Sequence, residues 1–281
     1  MTNPLSPLAT PLIIPRGKSV EDPIELRITG ASSHFLITAE EDSHATVALF
    51  LESVDPSLEH HVEVMVKENA SLTILTMQDA SRTSSVSIKQ QSTLSAGAKI
   101  HWQNVSIGGK TVEHDLWSET IGQGAISQVD WVFYVKDHER QNLSARNIFS
   151  ARDGGGEITL KGVAEENAQA KCRGMIEIGL QGGGTDTYLT EEVLMLDPTA
   201  KVDAIPGLEI RTNDVKASHS ATVARVTPED LFYFAARGIA PRDARHMYVR
   251  GFLGDLTGKI ASEKLREAVM ERIEQKYGVA M

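Results

Sequence analysis

Residues 203–238 read DAIPGLEIRTNDVKASHSATVARVTPEDLFYFAARG, and a change of character midway through them decides the fold. Asp203–Val226 reads as short extended segments punctuated by turns. Thr227–Arg237 reads as a helix with a defined start. Thr227 can cap it, Pro228 suits the first helical position, and Glu229 and Asp230 favour the positive end of the helix dipole. Gly238 can end it in a left-handed conformation. A β body therefore hands over to a helical tail, and His219, in Lys216-Ala217-Ser218-His219-Ser220-Ala221-Thr222, stands just before the handover.

Upstream, the chain is a series of short alternating runs: Ile24–Ile28, Phe35–Thr38, Ala45–Leu51, His61–Val66, Ser71–Thr76, Ser85–Lys89, Ile100–Ile107, Thr111–Trp117, Ala125–Tyr134, Ile158–Val163 and Met175–Ile178. Period-two alternation with Val, Ile and Thr predicts strands. A turn signal followed by a small residue and a new strand recurs at Ser43-His44-Ala45, Glu68-Asn69-Ala70, Ala96-Gly97-Ala98, Gln123-Gly124-Ala125, Glu166-Asn167-Ala168, Pro198-Thr199-Ala200 and His219-Ser220-Ala221. The alanines are 25, 28, 27, 43, 32 and 21 residues apart. Such periods suit a solenoid whose turns bury their apolar faces on one another, with small residues at crowded corners. The competing fold is a large β-sandwich. Aromatic residues make up only 5% of the chain, which also favours thin repeated layers. Gly154-Gly155-Gly156 and Gly182-Gly183-Gly184 read as loops, and no βαβ context makes the second a nucleotide fingerprint. Three helices are expected in the tail: Pro228–Arg237, Pro241–Leu253 and roughly Ala261–Tyr277. The last carries Leu265, Val269 and Ile273 on one face and can pack on the body or on a partner.

Composition excludes several functions. A net charge of −10 argues against nucleic-acid binding. No run approaches a membrane span, and the opening MTNPLSPLATPLIIPRG does not read as a signal peptide. One cysteine, Cys172, allows no internal disulfide, no CxxC site and no self-contained cluster site. A cytoplasmic location is expected. No Walker A loop, nucleophile elbow or zincin helix is present.

Three pieces carry a family resemblance: Asp203-Ala204-Ile205-Pro206-Gly207-Leu208-Glu209-Ile210, then Asn213-Asp214-Val215-Lys216-Ala217-Ser218-His219, then Leu231-Phe232-Tyr233-Phe234-Ala235-Ala236-Arg237-Gly238-Ile239. In this order and spacing the chain resembles the SufB/SufD family, the scaffold subunits of the SUF iron–sulfur cluster assembly system. The likeness extends more loosely from about Asp130 onward, and the long N-terminal helical region of many members has no counterpart here. It implies a right-handed parallel β-helix with a C-terminal helical subdomain that docks an ATPase; with the residues' own pattern, the expected division is an extended arm over 1–18, a β-helix core over 19–226 and a helical part over 227–281. It further implies a SufC-like ABC ATPase as partner, dimerisation with an identical chain or a SufB-like paralogue, and a transient iron–sulfur cluster. No nucleotide is expected on this chain itself.

The resemblance assigns His219 to cluster assembly at a subunit interface, and a neutral imidazole is a competent iron ligand. The plainer reading is a hydrogen-bonded turn histidine. SufD-like sequences usually carry cysteine where this chain has Ala217, and SufB-like ones glutamate where it has Ser220. One imidazole cannot hold a cluster, so several chains must contribute or the subunit supports another. Cys172 lies between Lys171 and Arg173, cations that would favour thiolate, yet strand neighbours point to the opposite face and free cysteine is commonly a small buried hydrophobe. His60 and His61 would face opposite sides of a strand. His101, His114 and His138 show no ligand spacing. Glu191 and Glu192 read as a solvated layer edge, and Asp203, Glu209 and Asp214 are spaced so that some could share a face. By resemblance Phe232, Tyr233, Phe234, Arg237 and the helix from Pro241, with Arg242 in its first turn, form the ATPase-docking surface. Ordinary packing of that helix on the solenoid end is the plainer reading, and it is favoured for Phe232. The chain is thus expected to be a non-catalytic scaffold. The alternatives are a metal-free structural subunit of the ATPase complex and, with less support, a carbohydrate-active β-helix enzyme.

Overall fold

Alternation of apolar and polar side chains leaves every upstream segment with one face that must be covered, and stacking on identical neighbours covers it. In a computed structural model that describes residues 10–260 and 262–278, the chain forms a parallel β-solenoid followed by three helices. The strands are β1 (Thr10–Ile14), β2 (Ile24–Ile28), β3 (Ser32–Ala39), β4 (His44–Leu51), β5 (Ser57–Val66), β6 (Ser71–Ala80), β7 (Ser85–Leu94), β8 (Lys99–Gly108), β9 (Thr111–Thr120), β10 (Ile126–Val135), β11 (Arg140–Phe149), β12 (Gly155–Ala164), β13 (Gln169–Ile178), β14 (Asp186–Met195), β15 (Lys201–Ala204), β16 (Gly207–Ile210) and β17 (Lys216–Arg225). Odd-numbered strands build one sheet, with β15 and β16 side by side on β13; even-numbered strands and then β17 build the other. All pairings are parallel, which rules out the antiparallel β-sandwich.

The register is a ladder of equivalent positions. One interior column runs His60, Ile88, His114, Leu143, Cys172, Ala204, and the facing column runs Leu49, Thr76, Asn104, Trp131, Leu160, Glu191, Ala221. The corners explain the repeat. Asp42, Asn69, Gly97, Gly124, Asp153 and Gly184 all sit at positive φ. Each donates its amide to a carbonyl of the following turn, from Asp42 to Glu68, Asn69 to Ala96, Gly97 to Gln123, and so on to Gly184 and Asp214. Gly, Asn and Asp tolerate that conformation. The next residue is small because it is enclosed: Ser43, Ala70, Ala98 and Ala125 are buried.

Several expectations need correction. Ser43-His44-Ala45 is out of step by two residues, since Ser43 and not Ala45 occupies the corner. His219-Ser220-Ala221 is no corner at all but lies inside β17. Gly155 and Gly156 open β12 rather than forming a loop, whereas Gly182–Gly184 is a turn. β11 and β14 were not expected, and β7 runs on to Leu94. In each, interior positions are polar: Gln141 and Asn147 in β11, Glu191 in β14, Gln90 and Ser92 in β7. The first nine residues of the expected arm, and Ala261 of the expected third helix, lie outside the described residues. Residues 10–14 form the first rung, β1, paired with β3.

The helices are α1 (Pro228–Ala235), α2 (Pro241–Thr257) and α3 (Glu263–Tyr277). Thr227 caps α1 in a capping box with Asp230, and Gly238 follows at φ +78°. α2 and α3 cover the outer face of the even sheet. Val249, Leu253, Leu256, Leu265, Val269 and Ile273 pack there against Phe50, Leu75, Met77, Val105, Ile107 and Val132. Burying one such side chain contributes roughly 1.5–3 kcal/mol. The Leu265, Val269, Ile273 stripe therefore serves the body, not a partner. Arg272 pairs with Asp79 and Glu52, and Lys276 pairs with Asp79, fixing the end of α3 to the solenoid. No helix among the described residues is long and apolar enough to cross a membrane.

Candidate functional site at the open end of the solenoid

The last turn differs from those beneath it. In the odd sheet its pairing is interrupted: Cys172 pairs with Ala204 and Met175 with Gly207, and the ladder breaks at Ile205-Pro206 between them. Proline has no amide to give to a ladder. In the even sheet β17 is terminal and pairs only with β14. The helices run along the side of the solenoid and leave this end uncovered. Ile205, Ile210 and Val223 are accordingly 40–46% exposed.

His219 lies at the centre of β17, opposite Leu189 in the register. Leu189 faces the interior, as does the partly buried Ala217 two residues from His219. The alternation of a strand thus turns His219 toward the interior face of the rung. With no further rung above, the ring is exposed. Ser218 and Ser220 fall on the opposite face. The turn-histidine reading does not hold, because His219 is mid-strand.

Cys172 is one turn lower and wholly buried within the apolar interior. Burial, and next the carboxyl of Glu191, push its thiol well above the ordinary range, so the flanking Lys171 and Arg173 do not make it a thiolate. Glu191 was expected at a wet edge; it is instead fully enclosed. Its Oε1 accepts from the Gly174 amide at 2.5 Å, at the interruption of the odd sheet. Its Oε2 is buried and unpartnered. Burial pushes its pKa up to about 7, opposed by the amides of Gly174 and Ile205. No sequence pattern separates Glu191 from its exposed neighbour Glu192; only the strand phase does.

The remaining candidates scatter. His60 is interior and bonded to Ser33 at 2.8 Å, while His61 faces out beside Glu59, so the pair does divide between two faces. His114 is buried on Gln90, and His101 pairs with Asp130 beneath the helices. His138 is exposed at a turn. Asp203 and Glu209 are six residues apart along the outer edge, and Asp214 pairs with Arg152, so these carboxylates do not converge. Among the described residues no three His, Cys, Asp or Glu side chains surround one point.

The docking candidates occupy two places. Phe232 and Tyr233 stand out from α1, 74% and 54% exposed, and no α1 residue is buried. Phe232 is therefore not ordinary packing. Arg237 lies 3.6 Å over the Tyr233 ring, and Phe234 meets Tyr233 and Tyr248 edge-on. Arg242 instead lines a cavity of about 540 Å³ between α2, the end of α3 and the even sheet, with Lys136, Glu165, Arg245 and His246.

Known sequences supply the remaining finding. Residues 23–252 match the family model described as SUF system FeS cluster assembly, SufBD core domain. An iron–sulfur cluster assembly SufBD family protein of Mycobacterium leprae (strain TN) is 28% identical over 204 residues, covering 72% of this chain and 23% of that protein. A SufBD family protein of Mycobacterium tuberculosis (strain ATCC 25618 / H37Rv) is 27% identical over 287 residues, covering 96% and 72%. The iron–sulfur cluster assembly protein SufD of Bacillus subtilis (strain 168) is 26% identical over 277 residues, covering 94% and 63%. The chain thus spans less than a quarter of the first of these relatives.

Proposed function

Because this chain belongs to the SufBD family, whose core domain matches 230 of its residues, 23 to 252, and so has a role in iron–sulfur cluster assembly, we propose that it is a scaffold subunit on which the cluster is built. The observation that carries the reading is the position of His219: exposed, central and inward-facing on the terminal strand β17, over which no described residue stacks a further rung. An imidazole there meets whatever next stacks on the solenoid. A second copy, or a SufB-like paralogue, can continue the open strand edges and cover Ile205, Ile210 and Val223. That contact sets two such end rungs face to face, and iron and sulfide assemble between them as cargo. Cys172 would join only if the end rung opened, since its thiol is enclosed and protonated.

The chain itself would not hydrolyse ATP. A SufC-like ABC ATPase docks on the α1 surface of Phe232, Tyr233 and Arg237, with Arg242 at the start of α2, and its cycle opens and closes the end contact. Exposed aromatics with arginine are favoured interface anchors. Anaerobic reconstitution of the complex with ferrous iron and sulfide tests the reading. Wild type should develop visible charge-transfer bands and His219→Ala should lose most of them while keeping its partners. Absence of the bands in wild type would remove the scaffold role. The enclosure of Cys172, with methyl and hydroxyl groups at Ala217 and Ser220, favours one second reading, a metal-free structural subunit; it predicts no effect of His219→Ala.

A further inference from the structure

We infer that Glu191 is a second iron-ligating side chain of the open end, paired with His219. The inference rests on the scaffold reading and adds to it a residue from the turn below. Its first support is an unfilled acceptor. Glu191 is fully enclosed; its Oε1 accepts from the Gly174 amide and the Ile205 amide also faces the carboxyl, yet Oε2 makes no hydrogen bond. Leaving a buried polar atom unsatisfied costs about 1–3 kcal/mol. Oε1 serves the interrupted odd sheet, and Oε2 adds no hydrogen bond to it. A leucine or glutamine would fill the column, which below Glu191 is Leu160 and Trp131.

The second support is position. Glu191 is opposite Ala221 in the register, two residues along the same face from His219. With strands about 4.8 Å apart and a rise of about 3.3 Å per residue, the two Cα atoms are roughly 8 Å apart. Side chains reaching inward from that spacing can bracket one metal ion, and imidazole nitrogen and carboxylate oxygen both suit iron. Ala221, directly above Glu191, presents a single exposed methyl group, so a small shift of β17 bares the carboxyl to the end. The pair supplies one nitrogen and one oxygen; the partner chain, sulfide or water completes the shell. Burial holds the carboxyl near its proton-bearing form, and the incoming cation takes the proton's place.

The test is an anaerobic titration of the metal-free chain with ferrous ion alone, for wild type, Glu191→Gln and His219→Ala, with melting temperature recorded for each. Gln keeps an oxygen for the Gly174 amide but is a poor ligand. The inference expects Glu191→Gln to weaken ferrous binding at least tenfold with little change in melting. Binding by Glu191→Gln equal to wild type, with His219→Ala impaired, would overturn it and leave the His219 reading intact. Loss in Glu191→Gln with His219→Ala unimpaired would overturn the pairing with His219. No ferrous binding by wild type would remove both. If Glu191→Gln melts early, infrared difference spectra of the wild type at about pH 6 decide. Loss of a buried protonated carboxyl band on adding ferrous ion supports ligation, and an unchanged band overturns it.

Discussion

The middle turns and the last turn follow the same register and corner geometry, yet one is a closed core and the other an open surface. Around β8 to β10, rungs lie above and below, both sheets are continuous and helices cover one outer face. Trp102, Trp131 and Phe133 are wholly enclosed there. At β15 to β17 one rung is missing above, one sheet is broken at Pro206 and no helix arrives. The difference teaches that a solenoid exposes its interior face where it ends. A strand that would be core in the middle becomes, as the terminal strand, an exposed interior face carrying His219.

The comparison breaks most visibly under truncation. Trp131→Ala removes a side chain that stacks on His114 at 4.3 Å between ring centres and donates to Ser106 at 3.0 Å. Loss of a buried tryptophan should cost roughly 3–5 kcal/mol. Val223→Ala, an equally inward position on β17, should cost about 0.5 kcal/mol or less, because the valine is 46% exposed. Paired denaturant melts of the two variants check this. Equal losses would mean that something covers the end.

The middle turns were also where the sequence was hardest to read. The solenoid, its corners, the helical tail and the stripe on α3 follow from alternation and turn residues alone. β11 and the second half of β7 did not, because alternation is legible only when interior residues are apolar. Gln90 faces inward, donates to Thr76 and accepts from Asn104, with His114 within 2.9 Å; Ser92, Ser118, Ser127 and Asn147 form another interior chain. Each polar side chain is made tolerable by neighbours 9 to 26 residues away in sequence, about which local pattern says nothing. The same blindness hid Glu191. His219 was found through the resemblance, but its exposure depends on β17 being terminal, a property of the stack.

Those interior groups give the middle turns a pH response. Burial, then the charge of His61, lowers His60 to about 4, and burial, then His60, lowers His114 to about 3. The unfolded chain therefore binds more protons than the folded one between these values and 6.5. Stability should be full above pH 6.5 and fall as pH drops through that window, by about 1.4 kcal/mol per pH unit for each histidine. Melting temperature followed from pH 7 to pH 5 should show the slope, and His114→Gln should flatten part of it. A profile without slope would mean that water reaches the interior.

The smallest effect on stability is expected outside both turns, at α1, and there it has the sharpest consequence. α2 and α3 each bury a stripe on the even sheet, whereas α1 buries no residue and meets chiefly α2. Phe232→Ala should thus leave the melting temperature almost unchanged, since exposed substitutions lie within about 0.5 kcal/mol. An aromatic side chain held in water by a capped helix is costly to leave so unless something covers it part of the time. If a SufC-like ATPase does, Phe232→Ala should weaken its binding by about 2 kcal/mol or more, as truncated interface anchors do. Tyr233→Ala should also release Arg237 from its stacked position and cost a comparable amount. Calorimetric binding of the ATPase to both variants, beside their melts, separates the roles: unchanged affinity would leave the α1 aromatics without the part assigned to them and move the docking surface to the cavity lined by Arg242.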